Sequence, residues 1–145
     1  MLCKELQFGD WCCNEHRTPM RITNVGVDYA YAICEEHERY ALAFSDVEGF
    51  NPQPIEITAE LLKANGCEVR SYYSSFHNLG DYYFMKDANG NHLELKQGML
   101  AIWNEYEPDN DGVYSDILVP CKYVHQLQRA LRLAGLTDMA NNFKV

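Results

Sequence analysis

Asn51-Pro52-Gln53-Pro54 constrains this chain more than any other segment. Two prolines in three residues remove two backbone donors and turn the residue before each ring away from the helical region. No helix and no central strand can run through that segment. The chain is expected to form a single compact domain over 1–145, with sub-lobes 1–50 and 55–145 on either side of the break.

Before the break the apolar runs are short and closely punctuated. Leu6 to Cys13 ends in Gly-Asp-Trp-Cys-Cys, a strand after a Gly-containing turn, Pro19 opens a second run to Val25, and Gly26-Val27-Asp28 turns into Tyr29 to Cys34. Arg39 to Phe44 is a fourth run. Four short strands with turns about every ten residues predict an SH3-like small barrel or a curled antiparallel sheet. After the break Thr58 caps a short helix, and Asn65-Gly66 stops it. Val69 to Phe76, Tyr82 to Lys86, Asn91 to Lys96, Met99 to Trp103 and Tyr114 to Val119 then read as a meander, with Asp87-Ala88-Asn89-Gly90 as a hairpin turn. Val124, Leu127, Leu131 and Ala134 trace one apolar stripe of a helix from about Lys122, which Gly135 ends. The predicted class is α+β, mostly antiparallel, with one short and one C-terminal helix.

A content of 47% hydrophobic and 23% charged residues is that of a folded chain. The formal charge of −9 disfavours a broad nucleic-acid footprint, which needs a basic stripe to release counterions. It leaves room for a small basic pocket. No run approaches the ~18 apolar residues of a membrane span, and the first residues lack a basic stretch followed by an apolar one. A soluble, cytoplasmic protein with no membrane partner is expected. Six cysteines without a secretory signal read as reduced thiols, several of them small buried hydrophobes.

Three segments carry a resemblance. They are Lys4-Glu5-Leu6-Gln7-Phe8-Gly9-Asp10-Trp11, Ile57-Thr58-Ala59-Glu60-Leu61-Leu62-Lys63-Ala64-Asn65-Gly66-Cys67-Glu68, and Lys122-Tyr123-Val124-His125-Gln126-Leu127-Gln128. Together they resemble a group of small proteins carried by phages, prophages and mobile elements of gut anaerobes. That group joins an opening strand, a Thr-capped helix and a closing Val-His-x-Leu-Gln helix. The resemblance implies an accessory protein acting in the bacterial host cytoplasm. It implies no activity and no functional residues.

The sharpest chemical pattern is a doublet. Cys13-Asn14-Glu15-His16 and Cys34-Glu35-Glu36-His37 both read Cys-x-x-His. Two such knuckles at one end of a meander, from Cys13, His16, Cys34 and His37, would complete a Cys₂His₂ zinc site. The spacing is not that of a zinc finger, and two acidic turns are the plainer reading. Zinc is the one cofactor the sequence suggests. From Glu107 to Gly112 acids fall at calcium-loop spacing, but Leu118 stands where a bidentate Glu is required, so a charged surface loop is the better reading. No phosphate loop, dinucleotide fingerprint or nucleophile elbow is present in the sequence. His92 and Glu94 read as a polar outer face alternating with Leu93 and Leu95. His125 reads as a structural histidine beside the apolar stripe.

Aromatic residues crowd the second half. Each adjacent pair on a pleated strand must split, one ring inward and one outward, so one of Tyr72 and Tyr73 and one of Tyr82 and Tyr83 should leave the core. With Arg70, His77, Lys86 and Trp103 they form the candidate binding set. The expected function is non-catalytic. The chain binds a host macromolecule, as a counter-defence factor does. The alternatives are a sponge for a nucleotide signal on the aromatic sheet face and a zinc-binding protein. A homo-oligomer is compatible with all three.

Overall fold

A computed structural model describes residues 6–14, 16–25, 29–34, 39–43, 52–74, 77–96, 98–102 and 117–145, with backbone alone for several strand positions. The architecture is α+β, with two antiparallel sheets and three helices among those residues. The first sheet contains β1 (Trp11–Cys13), β2 (Pro19–Val25), β3 (Tyr29–Cys34) and β4 (Arg39–Ala43). Its order β1-β2-β3-β4 is an open meander, and among the described residues β4 does not pair back onto β1 to close an SH3-like barrel. After α1 (Ala59–Ala64) come β5 (Glu68–Ser74), β6 (His77–Lys86), β7 (His92–Lys96), β8 (Met99–Ile102) and β9 (Ile117–Pro120), again in sequential order. The chain ends in α2 (Val124–Leu133) and α3 (Thr137–Asn141).

Local chemistry explains most boundaries. The Thr58 hydroxyl accepts the Leu61 N–H at 3.2 Å, capping α1 as its sequence predicts. Asp87 closes the β6–β7 hairpin by accepting the N–H groups of Asn89 and Asn91 at 2.9 and 3.0 Å. These bonds hold the Asp87 carboxyl below its ordinary range, with the Asn91 side chain the largest contributor. At α2 the Gln126 side chain reaches back to the Tyr123 N–H at 3.2 Å.

Two expectations need correction. The first strand, expected over 8–13 after a Gly-containing turn, is Trp11–Cys13, because that turn takes up residues 7–10, where Gln7 N–H donates to the Asp10 carboxylate at 2.8 Å. Gly9 adopts φ 84° there, and a side chain at that position would meet the Arg132 guanidinium at 3.2 Å. The final helix also has a successor, α3, beyond the expected stop at Gly135.

The main core lies between the second sheet and the helices. Met85, Leu93, Leu95 and Leu100 from the sheet join Leu62, Val124, Leu127 and Leu131. Trp11 and Phe143 complete it from opposite ends of the chain, and the indole N–H donates to the Phe143 carbonyl at 2.6 Å. On the other face of β1–β2, Cys12 is paired with Met20, and both are buried together with Ile22.

A polar joint fastens β1 to the helices. The buried Gln128 side chain accepts the Trp11 N–H at 2.9 Å and donates to the carbonyls of Gly9 and Ala140, each at 2.9 Å. Beside it Asp10, fully buried, holds Arg132 at 2.6 Å, and Arg21 donates to the Asn141 carbonyl. Burial is the largest influence on Asp10 and lifts its carboxyl above 3.8, although Arg132, the Gln7 N–H and the charge of His125 oppose the rise. A folded state with the raised pKa binds a proton more readily than the unfolded chain. The stability contributed by Asp10 therefore grows as pH falls through the raised value and is least when the carboxylate is charged. Wild type should gain stability relative to Asp10→Asn when melting is compared at neutral pH and at about pH 4. A relative loss on acidification would show that the Arg132 pair outweighs burial.

Candidate functional site

The helices cover one face of the second sheet, and the side chains described on the other face are mostly half-buried, with Glu94 buried. Leu93 and Leu95 of β7 face the helices, so His92, Glu94 and Lys96 take the outer face by alternation. Register extends that face across three strands. Glu68, Phe84 and Glu94 form one rung, continued by Ala101 of β8. Arg70, Tyr82 and Lys96 form the next, and Lys86 stands beside His92.

Side chains knit these rungs together. The Arg70 guanidinium lies 4.0 Å above the centre of the Phe84 ring and donates to both Glu68 carboxylate oxygens, at 3.0 and 3.2 Å. Arg70 holds the Glu68 carboxyl below its ordinary range, and Glu68, followed by Tyr82, raises Arg70. His92 stacks on Phe84 at 5.7 Å between ring centroids. Lys96 Nζ sits 5.2 Å from the Tyr82 ring centre and 3.3 Å from Glu94, whose side chain is buried although it belongs to the outer face. Cation–aromatic contacts of this kind contribute about 0.5–1 kcal/mol each at an exposed surface. Their larger effect here is to order long side chains before anything binds.

Of the candidate binding residues, Arg70, Tyr82 and Lys86 share this face. Tyr83 does not. It points to the helix side, packs against the core and borders a cleft of about 290 Å³ with Thr58, Leu95 and Lys122. Tyr72, Tyr73 and His77 lie toward the far end of the β5–β6 pair, where a bulge between Ser71 and Tyr73 interrupts the register. Their side chains, and all of Trp103, lie outside the described residues. Phe84 escaped the sequence reading as a site residue. Counting by two from Tyr82 finds it, because Tyr82, Phe84 and Lys86 share parity.

The metal candidates are only partly visible. β1 and β3 flank β2, and Met20 pairs with both Cys12 and Cys34, which puts the two knuckles at the same end of the sheet. His37 and the Cys34 side chain lie outside the described residues. The Cys13 thiol is directed to the carbonyls of Gln53 and Pro54, at 3.5 and 4.0 Å, while His16 is exposed. Burial raises the Cys13 thiol above 9.0, with Arg17 opposing. It borders a cleft of about 380 Å³ with Arg17, Pro19, Pro54, Glu56 and Val145. Among the described residues no three His, Cys, Asp or Glu side chains converge on a metal position. The calcium-spaced loop from Glu105 to Gly112 lies outside the described residues. Burial pushes Cys67 to about 11 and Cys121 to about 12, so both remain protonated thiols packed as small apolar groups.

No helix among the described residues is long and apolar enough to cross a membrane. Comparison with protein-family models, with curated proteins and with solved structures finds no match to this chain.

Proposed function

We propose that the chain is a non-catalytic accessory protein, of the phage or mobile-element kind, that occupies a host protein through the outer face of the second sheet. The observation that carries this reading is the pairing pattern on that face. Each of its two central cations, Arg70 and Lys96, is bound to a glutamate of the same face and lies against an aromatic ring. A phosphate would have to displace Glu68 or Glu94, and a base would have to displace the cation from its ring. A nucleotide therefore fits this surface poorly. A protein surface fits it well, because Arg, Tyr and Phe side chains that are already ordered lose little entropy on binding and commonly dominate interface energy. In a bacterial host the expected counter-defence role follows from that capacity to occupy a partner.

The experiment is quantitative capture from host extract with the immobilised protein. One host protein should be retained by wild type and weakened at least about tenfold by Phe84→Ala, as expected for a central interface residue. His16→Ala, at an exposed residue of the β1–β2 turn in the other sheet, should bind as wild type does. Retention unaffected by Phe84→Ala, or co-purification of a nucleotide in its place, would overturn the reading.

A further inference from the structure

The two edges of the second sheet differ in kind. β9 is four residues long and ends in Pro120, whose ring removes a donor from the edge. β5 has seven residues and no proline, and among the described residues β6 is its only strand neighbour. Open edges of this length are templates for another strand unless charge or shape protects them. β5 carries charge, but in an alternating pattern. Glu68 and Arg70 lie two residues apart on the same face, with Val69 between them on the other face and 38% exposed.

That pattern is self-complementary. When two copies of β5 run antiparallel about a two-fold axis at Val69, Val69 meets its counterpart, and each Glu68 stands directly opposite the other copy's Arg70. Directly opposed residues share a face in an antiparallel pair, so the two Glu68–Arg70 pairs, each already bonded within its own copy, meet on the outer face as one cluster of four alternating charges, with the valine pair on the reverse. Like charges at these two positions would have made the edge repel itself. The paired stretch would run over about five residues, 67–71, and stop where the bulge between Ser71 and Tyr73 breaks the regular edge.

We infer that β5 is a homodimerisation edge, at which a second copy of this chain adds in the Val69-centred register and joins two five-stranded sheets into one of ten strands. The isologous contact would place the two outer faces side by side, doubling the recognition surface. The inference rests on the edge and its charges, and it holds whether or not the outer face binds a host protein.

Sedimentation equilibrium over a concentration series tests it. Wild type should approach twice the 16.7 kDa of one chain as concentration rises. Val69→Lys places two cations at the axis and should give a monomer with unchanged circular dichroism. Glu68→Arg alone should weaken dimerisation at least about tenfold, by setting arginines opposite one another, and the double exchange Glu68→Arg with Arg70→Glu should restore it. A wild type that stays monomeric at every concentration would overturn the inference. So would a dimer that survives Val69→Lys, or a double exchange no better than the single one. Loss of host-protein capture with the dimer intact would overturn the proposed function and leave this inference standing.

Discussion

Trp11→Ala is expected to destabilise the protein by about 3–5 kcal/mol and to lower its melting temperature by on the order of 10 °C. The indole is 2% exposed and fills the core between β1 and the C-terminal helices, so its removal leaves a cavity that rigid neighbours cannot close. It also strips the Phe143 carbonyl of its donor. Trp11→Phe is the milder variant. It keeps a six-membered ring and loses the N–H with the pyrrole portion of the indole, so about half the cost is expected. Chemical denaturation with matched slopes measures both variants. A change below about 1 kcal/mol for Trp11→Ala would mean that β1 is not part of the core.

Gln128→Leu should cost about 3 kcal/mol or more despite replacing one buried side chain by another of similar size. The wild-type amide serves three buried backbone groups, the Trp11 N–H and the carbonyls of Gly9 and Ala140. Leucine serves none of them. Each orphaned group carries a desolvation penalty of about 1–3 kcal/mol, partly relieved where the structure relaxes. Gln128→Glu is informative beside it, because a carboxylate accepts from Trp11 but cannot donate to either carbonyl, and it buries a charge. Both variants should melt well below wild type. A Gln128→Leu variant as stable as wild type would show that the joint contributes nothing to holding β1 on the helices.

These two residues mark the boundary of what the sequence reveals. The proline break, the two meanders, the Thr58 cap and the Asp87 turn follow from local chemistry, and the structure has them. Alternation between Leu93 and Leu95 and their polar neighbours likewise gave the outer face, because the period of a strand is local. Gln128 lies 119 residues from Gly9 in sequence and Asp10 lies 122 from Arg132, and no periodicity links such distant partners. The three residues of β1 are buried on both faces, so that strand has no alternation to detect. α3 is five residues long and has no side-chain cap. Its support comes from the Gln128 bond to Ala140 and from packing around Ala140 and Phe143, contacts that exist only once the chain has folded. Parity separates Tyr82 from Tyr83 without saying which ring is buried. The Tyr83 neighbours Met85 and Leu95 decide that.

The central claim is that this molecule acts through the outer face formed by β5, β6 and β7. Oxidative side-chain footprinting of the protein, alone and saturated with the captured host protein, tests it most directly. Tyr82, Phe84 and His92 should be shielded in the complex, while Phe8 and Leu133, which are 67% and 84% exposed and lie outside β5, β6 and β7, should be oxidised as in the free protein. Shielding of Phe8 and Leu133 with Tyr82, Phe84 and His92 unchanged would contradict the account.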